Sequence, residues 1–166
     1  ICTLHDIGEF QGQQFMVMEL LEGEALKARL ARGPLPLDEV LAYGEDIADA
    51  LDAAHPKGGV LGDLKPATLS VPRRGQVKVL DFGVAKLSDA GRSSPHAETL
   101  GASDQLTTLG MAIGTVQYMA PEQARGQQID TRSDLFSLGV VLYEMATGRV
   151  PFEGPTAAVV FEGLLT

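Results

Sequence analysis

The stretch "GDLKPATLSVPRRGQVKVLDFG", from Gly62 to Gly83, places two carboxylates and an ammonium in an order that suits phosphoryl transfer. That reaction needs a carboxylate to orient the attacking hydroxyl, a cation near the transferred phosphate and a second carboxylate to hold magnesium. Asp63, Lys65 and Asp81 supply the three types. Any one of the short strings that carry them is common in proteins, so the elements around them must be consistent with the same chemistry.

Those elements read clearly. Ile1 to Glu9 and Gln14 to Leu20 are two strand-compatible runs separated by "FQGQ", where Gly12 supplies a turn, and they predict a hairpin. "LEGEALKARLA" predicts a short helix stopped by "RGPLP". Asp38 is placed to cap a long helix whose apolar positions Val40, Tyr43, Ile47, Leu51 and Ala54 recur at three- and four-residue steps, ended by Pro56 and Gly58. Leu69 to Val71 and Val77 to Leu80 predict two short strands around a solvated turn, "PRRGQ", the second delivering Asp81 at its exit. From about Ser88 to Gly110 the chain has no helical or alternating period. A helix from about Ser133 to Thr147, closed by Gly148, and the start of another in "PFEGPTAAVVFEGLLT" follow.

In this setting "DLKPAT", "VLDFGVAK", "GTVQYMAPE" and "DTRSDLFSLGVVLYEMATGRVPF" resemble the catalytic loop, metal loop, substrate-docking segment and central helix of a eukaryotic-like, bacterial-type serine/threonine protein kinase catalytic domain. The resemblance implies an α+β fold of the protein-kinase kind, truncated at both ends. Residues 1–21 would be a small-lobe remnant of two strands and the hinge, and residues 22–166 most of a mainly helical large lobe. The activation segment would span about 81–122 and the central helix about 133–147.

The same resemblance assigns roles. Asp63 would be the catalytic aspartate, Lys65 the cation near the phosphate and a mark of serine/threonine specificity, and Asp81, followed by Phe82, the magnesium ligand. Met18, Glu19 and Leu21 match the gatekeeper and hinge that meet an adenine edge, and Ser70 the floor of that pocket. Thr107 and Thr108 are candidate phosphoacceptors, Thr115 and Tyr118 to Glu122 would dock the substrate, and Asp134 would brace the catalytic loop through its backbone. ATP and magnesium are the implied cofactors and a protein the implied substrate.

Several positions depart from the family's pattern. Leu61 and Gly62 replace a histidine and an arginine before Asp63, so apolar bulk fills one site and the other loses its pairing with a phosphorylated loop. Glycine should also loosen the backbone beside Asp63. Thr68 stands at the second metal position, where a hydroxyl is a poorer ligand than an asparagine carbonyl. Glu122 is expected to lack its arginine partner, and the segment carries neither a glycine-rich loop nor a strand lysine. These departures favour an alternative reading, a pseudokinase or protein-interaction module without catalysis.

Composition narrows the alternatives. Thirteen basic against twenty-two acidic side chains give a formal charge of -9, which opposes binding to nucleic acid or an anionic membrane. The histidines, His5, His55 and His96, are scattered, and His55 reads as a structural residue at a helix end. The single cysteine, Cys2, allows no internal disulfide, and no apolar run reaches the roughly 20 residues that span a bilayer. A cytoplasmic domain is expected, compatible with an anchor outside this segment.

Overall fold

The computed structural model describes residues 1–72, 75–80 and 113–166. Strands β1 (Leu4–Phe10) and β2 (Gln13–Met18) pair antiparallel. The two residues between them, Gln11 and Gly12, both take positive φ, 52° and 78°, the twist a two-residue hairpin turn needs. Across the pair the Phe15 ring lies over Gly8, where an added Cβ would come within 2.4 Å of it. Ile7, Phe10, Met16, Val17 and Met18 are nevertheless exposed.

The helix expected across "LEGEALKARLA" is shorter than the pattern suggests. Gly23–Ala25 is instead a strand, β3, antiparallel to β4 (Leu69–Pro72), and only Leu26–Leu30 is helical, as α1. Pairing with a distant strand overrides local helix propensity here. It requires glycine at 23, because a Cβ there would sit 2.4 Å from the Val71 carbonyl oxygen. Strand β5 (Lys78–Val79) completes a β3-β4-β5 sheet. The hairpin is fastened to it by Cys2 N donating to Val79 O at 2.8 Å and by the Glu19–Lys78 ion pair at 3.2 Å.

Helix α2 (Leu37–Ala54) follows the expected period, burying Val40, Ile47, Ala50, Leu51 and Ala54. Pro36, not Asp38, holds its N-cap position; Asp38 lies in the first turn, where the helix dipole favours a carboxylate. A turn of 3-10 helix over His55–Lys57 and a left-handed Gly58 end it. Two single turns, α3 (Ile113–Val116) and α4 (Pro121–Ala124), lead to α5 (Thr131–Thr147). Asp130 caps α5 by accepting from Arg132 N at 2.8 Å, and Gly148 at φ 72° closes it. Helix α6 (Ala157–Leu165) starts from a Thr156 cap.

The core forms where α2 crosses α5 and meets the sheet. Ile47 and Leu51 from α2, Val141 and Met145 from α5, and Leu26, Leu64, Leu69 and Val79 are all almost wholly buried. Full burial of such a side chain is worth roughly 1.5–3 kcal/mol. Gly44 permits the close crossing, since a Cβ would meet Leu142 Cδ2 at 2.8 Å. Leu35 N donates to Met145 O at 2.8 Å and ties the start of α2 to the end of α5. The architecture is α+β, and no helix among the described residues is long and apolar enough to cross a membrane.

Candidate active site

Between the end of α2 and β4 the chain runs as a loop held inward by two side chains, Leu61 and Leu64, both buried. Gly62 and Asp63 lie between them. The first turn of α5 places Asp134 under this loop, fully buried, because the Asp130 cap starts the helix four residues earlier. Asp134 Oδ2 accepts from Leu61 N at 3.0 Å and Oδ1 from Gly62 N at 2.8 Å. His55 Nε2 lies 2.9 Å from Oδ2 and donates to it, since a carboxylate only accepts. One buried carboxylate therefore satisfies two loop amides and orients a ring from the end of α2.

Gly62 is not loose. It sits at φ 66°, a region that favours glycine, and its carbonyl accepts from Gln123 Nε2 at 2.7 Å. Asp63 next to it is about half exposed, with its carboxylate chelating the Lys65 ammonium at 2.6 and 2.9 Å. Thr68, almost buried, closes the loop from behind: its hydroxyl donates to Lys65 O at 2.9 Å and accepts from Lys65 N at 3.2 Å. The site thus presents an exposed acid, paired with a partly buried cation, on a backbone tied down from within.

Lys65 also lines a groove of about 510 Å³ together with Lys27, Thr115, Tyr118, Glu144 and Arg149. Tyr118 Oη donates to Glu144 Oε2 at 2.6 Å, and the Tyr118 carbonyl accepts from Ser137 Oγ at 2.7 Å. Burial, reinforced by the Glu144 carboxylate, pushes the Tyr118 phenol far above its ordinary value, so it stays a donor. Glu122, expected to be unpaired, is partly exposed and accepts from Ser133 Oγ. A hydroxyl of α5 takes the place of an arginine.

The hinge candidates lie at the exit of β2. Met18 is exposed; Glu19 N donates to Thr3 O at 3.0 Å, while its side chain accepts from Thr3 N at 3.1 Å and pairs with Lys78. The Thr3 amide, helped by Lys78, holds the Glu19 carboxyl below the usual carboxylate range. Leu21 is partly buried, and Ser70 is buried on β4 opposite Ala25. Asp81, Phe82, Thr107 and Thr108 lie outside the described residues.

The residues brought together are therefore Asp63, Lys65, Thr68 and Asp134, with Thr115 and Tyr118 meeting Lys65 at the groove. Sequence reasoning missed Gln123 and Glu144. Gln123 had a local signal, standing three residues into a turn with proline at its first position, where a glutamine reaches back to a cap amide. It does so, accepting from Ala120 N at 2.9 Å. Glu144 had none, since its partner is far along the chain.

Residues 1–163 match the protein kinase domain family. The chain belongs to the protein kinase family. Serine/threonine kinases are among its relatives: it is 38% identical over 162 residues to the probable serine/threonine-protein kinase PknB of Lactococcus lactis, covering 96% of this chain and 24% of that protein. It is 39% identical over 158 residues to the serine/threonine-protein kinase pkn2 of Myxococcus xanthus, covering 93% and 18%. To the serine/threonine-protein kinase PknA of Mycobacterium tuberculosis it is 42% identical over 166 residues, covering 96% and 36%. This kinase segment thus spans between about a fifth and about a third of the length of these relatives.

Proposed function

We propose that this chain carries the phosphoryl-transfer face of an ATP-dependent serine/threonine protein kinase. The observation that carries the reading is the Asp63–Lys65 pair, set outward on a loop whose backbone is held by the buried Asp134. Asp63 would accept the hydrogen bond of a substrate serine or threonine hydroxyl and orient its oxygen. Lys65, which lines the groove, would offset charge on the phosphoryl group. A protein substrate would lie along the groove beside Thr115 and Tyr118.

A partly buried ammonium lining a groove suits a nucleotide phosphate. Met18, Glu19, Leu21 and Ser70 would hold the base, and Asp81 the magnesium ion, which when bound neutralises phosphate charge. Thr68 fits a metal poorly, because its nearly buried hydroxyl already bonds both sides of Lys65. It is better placed as a clasp of the loop.

The Thr68 geometry is also what favours the second reading, a domain that binds partners without catalysis. The two are separated by joining the chain to the small lobe of a related kinase and supplying magnesium, labelled ATP and a generic basic protein. The catalytic reading expects label on serine and threonine, lost in Asp63→Ala. A chimera that neither transfers phosphate nor binds magnesium-ATP supports the binding module.

A further inference from the structure

Asp63 follows a glycine, the residue least able to fix its own conformation. The two peptide units that flank Gly62 are each held by a side chain from elsewhere. Asp134 Oδ1, accepting from Gly62 N, holds the unit before it. Gln123 Nε2, donating to Gly62 O at 2.7 Å, holds the unit after it, and that planar unit ends at the Asp63 Cα. Rotation about both Gly62 dihedrals is therefore opposed, the first restraint coming from α5 and the second from the docking segment.

The Gln123 amide is itself fixed. Its oxygen accepts from Ala120 N at 2.9 Å, and Ala120 is fully buried. Two residues earlier the Tyr118 carbonyl is bonded to Ser137 of α5. The donor that reaches Gly62 is thus carried by a short segment anchored at several points, 61 residues along the chain from its acceptor.

We infer that Gln123 is a positioning residue, which couples the orientation of Asp63 to the placement of the segment that docks the substrate. This rests on the catalytic reading of Asp63 given above. With the segment seated, the Gln123 amide locks the Gly62–Asp63 peptide; displacement of the segment releases a glycine and lets the carboxylate swing. The bond takes over a restraint that a bulkier residue at position 62 would supply through its own steric limits.

Gln123→Glu tests this cleanly, because it keeps an oxygen for Ala120 N and removes the donor to Gly62 O. Amide hydrogen exchange of this chain, followed by NMR, reads the clamp without needing activity. Exchange at Gly62 is expected to rise roughly tenfold in Gln123→Glu and in Gln123→Ala, with α2 and α5 unchanged and Ala120 still protected in Gln123→Glu. In the completed chimera kcat should fall at least about tenfold with the KM for ATP unchanged. Unaltered exchange at Gly62 in both variants, or a rise spread evenly over α2 and α5, overturns the inference. Raised exchange at Gly62 in a chimera that never transfers phosphate upholds the clamp and removes the catalytic reading of Asp63 instead.

Discussion

The loop around Asp63 and the β1–β2 hairpin are both irregular in exposure, yet they are held in opposite ways. Two side chains from other elements, Asp134 and Gln123, and Thr68 of the loop itself each bond its backbone, and Leu61 and Leu64 anchor it in the core. Among the described residues the hairpin is held by its own ladder and by attachments near its ends such as Cys2–Val79 and Glu19–Lys78, and many of its apolar side chains are exposed. Position is fixed in the first case by buried polar bonds and in the second by local pairing. Chemistry that needs a defined carboxylate belongs on the first kind of support.

The contrast is broken most severely by Asp134→Ala. Two loop amides and His55 would lose the buried carboxylate they share, and the loss should reach roughly 3–5 kcal/mol. Urea denaturation followed by circular dichroism measures it, and a loss below about 1 kcal/mol would show that water replaces the carboxylate. A matched pair sharpens the comparison next. Leu51→Ala, at 1% exposure, should cost about 3 kcal/mol, whereas Phe15→Ala, at 47%, should cost under about 1 kcal/mol. Equal costs would mean that the hairpin belongs to the same cooperative unit.

Gly62→Ala comes third. At φ 66° a Cβ should cost about 1–2 kcal/mol, so restoring an arginine there would carry strain as well as charge. A neutral Gly62→Ala in thermal melts would place the glycine in a softer conformation than the one described.

Tyr118→Phe is the smallest, losing about 1 kcal/mol at neutral pH with the bond to Glu144. Its signature is in the pH dependence. Burial raises the phenol's pKa in the folded chain, so the folded state keeps a proton that the unfolded state releases. That contribution is complete below the unfolded value near ~10 and declines as pH rises beyond it. Tyr118→Phe should flatten the alkaline decline in stability; an identical slope contradicts the assignment.

Much of this was legible in the sequence for physical reasons. The apolar period of α2, the closing glycine of α5 and the turn of the hairpin are local signals that mark their elements in the structure, whereas the Asp130 cap, which starts α5 two residues before the expected Ser133, was not read. Strand β3 was not, because the local pattern of residues 21–31 is helical and only pairing with Val71 makes the strand. Glu144 escaped notice for a similar reason, as its partner is a phenol far away in sequence, and the local signal at Gln123 pointed to Ala120 N and not to the distant Gly62 carbonyl. Glu122 was expected to stand unpaired because its arginine was sought by charge, whereas a serine hydroxyl meets it.

On the proposed reading Asp63 orients the hydroxyl that attacks, on a loop whose backbone is held from other elements. Single-turnover transfer from magnesium-ATP to a threonine-containing protein, in the chain completed by a related small lobe, tests it most directly when Asp63→Asn is run beside the unsubstituted protein. The transfer rate should fall roughly a hundredfold or more with nucleotide affinity unchanged. Transfer at an undiminished rate in Asp63→Asn would contradict it.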